Sequence, residues 1–280
     1  MKALNADLHC HSTVSDGLLA PAELVGRAHG NGVALLALTA HDEIGGLDEA
    51  AAAARQIGLR FVNGVEISVS WGDDQTVHIV GLGFDRSFLP LADGLARVRS
   101  GRDSRAQRIA AELDKVGIHG AYEGALKYAG NPALISRSHF ARYIVELGHA
   151  KEVKGVFDWW LAKGKPGYVA HPWASLEDAL GWIAGAGGLA VVAHPGRYRL
   201  SRAEMDDMLA TFKEMGGVGI EVLSGSHNEE QVRDYAHMAR KYGFLASRGS
   251  DFHGPGESWV DLGRLPDLPE DLVPVWTKFN

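Results

Sequence analysis

The run Asp7-Leu8-His9-Cys10-His11 places three possible metal ligands at alternating positions in one short segment. Side chains of an extended strand alternate between faces, which puts Asp7, His9 and His11 together and Cys10 opposite them. A His-x-His pair on a strand can hold a cation between two imidazoles, and Cys10 reads as a core residue. Asp16, His41, Glu66, His78, His194, Asp251 and His253 recur at or near the ends of segments that read as strands, and Asp251 and His253 repeat the two-residue spacing. A lone histidine or carboxylate at a strand end is usually a cap or a hydrogen-bonded loop residue. A converging set is different, because burying many imidazoles and carboxylates without a cation is costly. The nine candidates His9, His11, Asp16, His41, Glu66, His78, His194, Asp251 and His253 exceed what one ion can use and suit two or three. Glu66 can bridge, since one carboxylate can bind two cations. Nitrogen and oxygen donors without a thiolate favour Mn²⁺, Fe²⁺ or Zn²⁺ in a reactive site over a structural zinc.

The elements that must position these groups alternate along the chain. Strands are expected at Ala3–Cys10, Ala34–Thr39, Arg60–Ser68, Thr76–Phe84, Leu189–His194, Val218–Leu223 and Phe244–Ser250. Helices are expected from Pro21 to Gly32, at Leu47–Ile57, as one long pattern at Phe88–Val116, and at Ser175–Ala186, Ser201–Met215 and Asn228–Tyr242. Pro21 suits a first helical turn, and Gly32 and Gly58 suit helix ends. Gly72-Asp73-Asp74 reads as a turn between two strands. Mostly apolar strands alternating with helices imply a parallel sheet buried on both faces. From about Leu95 to Gly167 the alternation breaks, so residues 96–166 read as an inserted helical subdomain, with 1–95 and 167–280 forming the main α/β unit.

Length and composition agree. A chain of 280 residues suits an α/β barrel of ~250 residues plus an insertion. The net charge of −7 argues mildly against a long nucleic-acid footprint. One cysteine excludes an internal disulfide and fits a reducing compartment. No apolar run approaches the ~20 residues of a membrane span, and a ligand-bearing strand begins too early for a signal peptide. The expectation is a cytoplasmic protein without membrane or protein partners.

The successive motifs Asp7-Leu8-His9-Cys10-His11-Ser12, Asp16-Gly17, Thr39-Ala40-His41-Asp42, the Glu66 strand, His78, Ala193-His194-Pro195-Gly196-Arg197 and Gly249-Ser250-Asp251-Phe252-His253-Gly254 resemble those of the PHP (polymerase and histidinol phosphatase) family. They follow the family's order across nearly the whole chain. The resemblance implies a distorted (β/α)₇ TIM-like barrel with three metals at the carboxyl end of its strands. It assigns His9, His11, Glu66 and Asp251 to one metal, Glu66, His78 and His194 to a second, and Asp16, His41 and His253 to a third. It leaves Asp7 as a partner behind the ligands. Ala40 stands where the family commonly has aspartate, which implies a third site weakened by ~10–100-fold for want of that supporting carboxylate.

Such a centre suits displacement at phosphorus, with a bridging water lowered toward pKa ~7 as the nucleophile. Cationic groups should complete the clamp. Arg197, close behind His194, is placed for a phosphate oxygen. Ser136-Arg137-Ser138-His139 starts a helix in the insertion, and a helix N-terminus with Ser and Arg is an anion site. His171 is a further candidate for the pocket, although a loop role competes. Arg97, Arg99, Arg102, Arg105 and Arg108 stack along one helix face, where a solvated surface is the favoured reading. Trp159, Trp160 and Trp173 offer stacking surfaces, with core packing the commoner role. His29, His119, His149 and His237 lack partners and read as surface or packing residues.

The segment Ile135–Arg142 and the overall size resemble a PHP subgroup that includes 3′,5′-nucleoside bisphosphate phosphatases and a 5′→3′ exoribonuclease. The resemblance therefore implies a Mn²⁺-dependent enzyme removing the 3′-phosphate of a 3′,5′-bisphosphate nucleotide, with Ser136 and Arg137 on the 5′-phosphate. The rival enzyme readings are a 5′→3′ exoribonuclease or phosphodiesterase on short RNA, then a histidinol phosphatase. A degenerate, non-catalytic metal-binding module predicts lost ligands, whereas all nine positions carry competent side chains.

Overall fold

Seven strands pair in sequence order: β1 (Ala6–Asp7), β2 (Leu35–Leu38), β3 (Arg60–Trp71), β4 (Gln75–Leu82), β5 (Leu189–Val192), β6 (Gly219–Ser224) and β7 (Leu245–Gly249). The computed structural model describes residues 4–72 and 75–279. Ala3 of the expected first strand and Asp73-Asp74 of the expected turn lie outside the described residues. The ring closes where the ends of β1 and β7 meet: Leu8 N–H donates to Arg248 O at 3.1 Å, Asp251 N–H to His9 O at 2.8 Å and His11 N–H to Phe252 O at 2.8 Å. The result is a nearly closed seven-stranded barrel with helices outside, the TIM-like architecture expected.

The sheet is not all parallel. β4 runs antiparallel to both β3 and β5, while the other neighbours are parallel. The cause is the short connection between β3 and β4, because parallel strands need a crossover of a dozen residues or more. Reversing β4 is what brings His78 opposite Ser68, one step from Glu66 on the same hairpin.

Apolar side chains from β1 to β5 (Ala6, Leu8, Leu35, Ala37, Val62, Val80, Val191) meet inside the lower barrel with Val275. The opposite faces of the strands pack outward on α1 (Pro21–Gly30), α2 (Leu47–Ile57), α8 (Leu176–Gly185), α9 (Arg202–Glu214) and α10 (Glu229–Tyr242). Regular pairing of β1 ends at Asp7, and the expected alternation does not carry through. Asp7 pairs with Leu36, whose side chain shares the outer core with Cys10, so Asp7 does not share a face with His9 and His11.

The expected long helix is two: α3 (Leu89–Ser100) and α4 (Arg102–Asp114), parted at Gly101. A Cβ at Gly101 would stand 2.3 Å from His171 Cε1, so glycine is what lets that ring close on the junction. After α4 come α5 (Ala121–Leu126), α6 (Arg137–Glu146) and α7 (Val153–Val156), which runs into a π-turn at Phe157–Leu161. These pieces enclose a core of their own, with Ile109, Leu113, Ile118, Phe140, Ile144 and Leu161 at its centre. No helix among the described residues is long and apolar enough to cross a membrane.

Candidate metal centre and anion cleft

The upper end of the barrel interior is polar. His9, His11, Glu66 and Glu221 are buried beneath a cleft that opens toward α4 and α6. The strand frame sets their convergence: His41 bridges to Glu66 across β2 and β3, Ser68 faces His78, and Asp251 and His253 follow the seam with β1. Asp42, His194 and Asp251 hold positive φ angles of 51°, 25° and 53°. For residues other than glycine this costs about 1–3 kcal/mol each and is concentrated at functional sites.

Glu66 lies at the centre. Its Oε1 is 2.7 Å from His78 Nδ1 and 2.8 Å from His194 Nε2. Its Oε2 is 2.9 Å from His41 Nδ1, 3.3 Å from His9 Nε2 and 3.4 Å from His11 Nε2. Asp251 Oδ1 is 3.1 Å from His11 Nε2, which is itself 3.2 Å from His9 Nε2. Asp16 stands 3.6 Å from both His11 Nδ1 and His253 Nε2, and 3.8 Å from His41 Nε2. Four overlapping clusters result: His11-Asp16-His41-His253, His9-His11-Asp251, His9-Glu66-His194 and His41-Glu66-His78. All nine expected ligand positions therefore come together, in clusters that also share His9, His11 and His41, whereas the three sets implied by the family resemblance share only Glu66.

Hydrogen bonding alone does not account for this packing. His11 Nε2 faces His9, Glu66 and Asp251 at once yet carries at most one proton. His11 Nδ1, Asp16 Oδ1, His41 Nδ1 and Glu66 Oε2 are buried and have no hydrogen-bond partner among the described residues, although His41 Nδ1 and Glu66 Oε2 are only 2.9 Å apart. Two donors that each sit about 2.1 Å from one ion lie about 3.0–3.4 Å apart. The observed separations bracket that range, so the residues fit divalent ions.

The electrostatics agree. Burial pushes the Glu66 carboxyl up, but His41, His78 and His9 outweigh it and hold the group well below the usual carboxylate range. Asp251 is likewise held low against burial, chiefly by Arg197. Burial drives His11 and His194 down to about 3, leaving them neutral with lone pairs available. His41, despite burial, is raised to about 9 by Glu66 and Asp16. Protons there neutralise charge that cations would neutralise.

Glu221 is a functional residue the motifs do not reveal. Buried in β6, it accepts from His9 Nδ1 at 2.7 Å and from the His194 backbone N–H at 2.6 Å. It thereby fixes the His9 tautomer, with Nε2 left for the centre. A lone carboxylate inside the apolar strand Gly-Ile-Glu-Val-Leu was the available signal. Asp7 turns out to support backbone: its oxygens accept from Ser250 N–H at 2.9 Å and Gly263 N–H at 2.8 Å, one residue ahead of Asp251.

The cleft has an empty volume of about 590 Å³, open solvent included, and Asp16, His41, His78 and His253 meet Arg102, Arg105, Ser136, Arg137 and Arg197 in it. Ser136 caps α6 and donates to Asp16 Oδ2 at 3.2 Å. Arg137 borders Phe157 and donates to Leu161 O. Arg197 donates to Asp251 Oδ2 at 2.6 Å with its side chain half exposed. The arginine run is not a solvated face at Arg102 and Arg105, which are buried with their guanidinium carbons 4.9 and 5.2 Å from the centre of the Trp173 ring. The reason is the break at Gly101, which turns α4 inward. Arg102 pairs with Asp42, and Arg105 donates to Val169 O at 3.0 Å. Burial and the neighbouring charges of Arg137 and Arg102 push Arg105 down to about 9. His171 is not brought into the cleft; it stands edge-on to Trp173 behind the wall.

A family model for the PHP domain matches residues 7–225. A 3′,5′-nucleoside bisphosphate phosphatase from Chromobacterium violaceum is 53% identical over 99% of this chain and 96% of its own length. A 5′-3′ exoribonuclease from Haemophilus influenzae is 40% identical over 98% of each chain. A solved structure from C. violaceum, described as an amidohydrolase with bound sulfate and no metal, superposes with a TM-score of 0.94 at 52% identity, covering 98% of this chain and 95% of that one.

Proposed function

Since the chain belongs to the PHP domain family, we propose that it is a metal-dependent phosphatase that removes the 3′-phosphate from 3′,5′-bisphosphate nucleotides. The observation that carries this reading is the meeting of the Glu66-centred donor cluster with the arginine-lined wall in one cleft. The relative of that name, 53% identical, supports the substrate class.

His9, His11, Asp16, His41, Glu66, His78, His194, Asp251 and His253 would hold two to three divalent ions, which we take to be Mn²⁺ among the Mn²⁺, Fe²⁺ and Zn²⁺ that a mixed nitrogen and oxygen donor set suits. Such ions, when bound, supply Lewis-acid charge at the phosphoryl oxygens and lower the pKa of water toward neutrality. Glu66 presents one oxygen to each of two ligand groups, and Glu221 locks His9 so that its Nε2 faces inward. Arg197, half exposed beside Asp251, reaches a non-bridging oxygen of the 3′-phosphate. Arg105, Arg137 and the Ser136 end of α6 receive the 5′-phosphate, where buried guanidinium charge meets a helix N-terminus. Segment 96–166 thus serves as the substrate-binding subdomain. Water attacks the 3′-phosphorus, the P–O3′ bond breaks, the 3′-oxygen takes up a proton, and a nucleoside 5′-phosphate and inorganic phosphate leave.

The test is a substrate panel with Mn²⁺-loaded protein. Adenosine 3′,5′-bisphosphate should release phosphate and yield the 5′-monophosphate, with histidinol phosphate turned over poorly. Equal turnover of both, or a 3′-monophosphate product, refutes the assignment.

A further inference from the structure

Asp16, His41 and His253 meet around His11 in one donor cluster. All three stand outside the seven strands, and arginines from segment 96–166 grip the loop that carries each. Helix α6 supplies two of these holds. Arg142, 5% exposed, donates through Nη2 to the Asp16 carbonyl oxygen. The same guanidinium donates to both carboxylate oxygens of Glu257 at 2.8 Å, in the turn that follows His253. Ser258 closes that turn, its Oγ accepting from the His253 N–H at 2.7 Å. The Leu18 N–H donates to the His253 carbonyl at 2.7 Å, and a Cβ on Gly254 would stand 2.6 Å from Leu18 Cδ1. The Asp16 and His253 loops thus lie against each other, and Arg142 joins them. Helix α4 supplies the third hold: Arg102 pairs with Asp42, the residue after His41, and Asp42 also accepts from the Ser68 N–H at 2.7 Å.

The same two helices carry the anion wall. On α4, Arg105 lies one turn beyond Arg102. On α6, Ser136 and Arg137 open the helix that bears Arg142. Six residues of helix rise only about 9 Å, so the wall and the hold are two ends of one short element. That element is stiff, because Phe140 and Ile144 are fully buried in the core of the subdomain. A buried ion pair such as Arg142–Glu257 is costly to desolvate and a poor source of stability; what it fixes here is the separation of two ligand loops. Packed rigid elements of this kind carry coupling between sites. An anion that sets the first turn of α6 and Arg105 also sets where Arg142 and Arg102 hold the loops of Asp16, His253 and His41.

We propose that Arg142 and Glu257, with Arg102 and Asp42, are positioning residues that couple the anion wall to the ion held by Asp16, His41 and His253. A bound 5′-phosphate tightens that ion, and the ion tightens the 5′-phosphate. This rests on the reading of the wall as the 5′-phosphate site. Linkage makes the effect equal in both directions, typically about 5–150-fold. Mn²⁺ binding is measured by equilibrium dialysis with elemental analysis, at matched free Mn²⁺, with adenosine 5′-monophosphate or adenosine present. The monophosphate has no 3′-phosphate to lose, so turnover does not intervene. The expected result is one ion bound about fivefold or more tightly with the monophosphate and within about twofold with adenosine, the other ions unmoved. Arg142→Gln should weaken that same ion and abolish its response. Arg142→Met combined with Glu257→Met should do the same while leaving no unpaired buried charge to unfold the protein. A wild-type response retained in either variant puts the coupling in direct contact between nucleotide and ion and overturns the proposal. Equal tightening by adenosine, or weakening of every ion alike in the variants, also overturns it. Wild-type protein that binds the monophosphate without any ion responding overturns the coupling and leaves the phosphatase reading standing. No binding of the monophosphate to Mn²⁺-loaded protein removes the 5′-phosphate reading and the coupling together.

Discussion

The floor and the wall of the cleft solve opposite electrostatic problems. On the floor, metal-donor groups crowd together: Glu66 contacts five imidazoles, and His11 Nδ1, Asp16 Oδ1, His41 Nδ1 and Glu66 Oε2 are buried without a hydrogen-bond partner among the described residues. That arrangement calls for cations. The wall has buried guanidinium groups whose bonds go partly to backbone carbonyls, and Arg105 is pushed down to about 9 by burial and by Arg137 and Arg102. That arrangement calls for an anion. The scaffolds differ as well. The floor is built on strand ends of the barrel, whereas the wall is built on short helices with a separate core. On the proposed reading, the barrel end receives the reacting phosphate and segment 96–166 receives the part that identifies the substrate.

Substitutions can break this division of labour. Glu66→Gln should cost about 10³-fold or more in kcat together with bound metal, because several kcal/mol of charge stabilisation is lost; phosphate release and elemental analysis on one preparation check both. Arg137→Ala or Arg105→Ala should raise KM for the bisphosphate by about 10–150-fold, the worth of one hydrogen bond to a charged group. Metal content should stay at the wild-type value in these wall variants, and a fall would erase the distinction. Glu221→Gln should weaken metal affinity by about 10–100-fold while KM, measured at saturating metal, holds.

A smaller effect sharpens the link between Arg197 and the barrel. His227 Nε2 accepts from the Gly196 N–H at 3.2 Å, and burial lowers this imidazole to about 4. The folded pKa lies below the unfolded value of about 6.5, so the unfolded chain binds more protons between those values. Stability from this group is complete above about pH 6.5 and is lost as pH falls toward 4. Relative to His227→Gln, the wild type should lose about 2 kcal/mol between pH 7 and pH 5. Urea unfolding of both proteins at the two pH values measures the difference.

How much was legible in the sequence follows from the same contrast. The nine converging donor positions were readable because His, Asp and Glu at strand ends stand out against apolar runs. Glu221 escaped because it sits inside such a run with no histidine beside it. Asp7 looked like a ligand only while the strand was taken to continue past it. Arg102 and Arg105 matched the spacing of a solvated helix face, and periodicity cannot show that a break at Gly101 turns that face inward. The antiparallel β4 was foreshadowed by the short turn, yet apolar alternation outweighed it. Local spacing reports on the barrel ends; the wall depends on how distant helices pack.

The most direct test of a cation-demanding floor serving phosphate chemistry is a metal titration. Chelator-stripped protein receives stepwise Mn²⁺ while bound metal and phosphate release from adenosine 3′,5′-bisphosphate are followed together. Activity should rise from near zero and level off at two to three ions per chain. Saturation below two ions, or no phosphate released at any loading, contradicts the account.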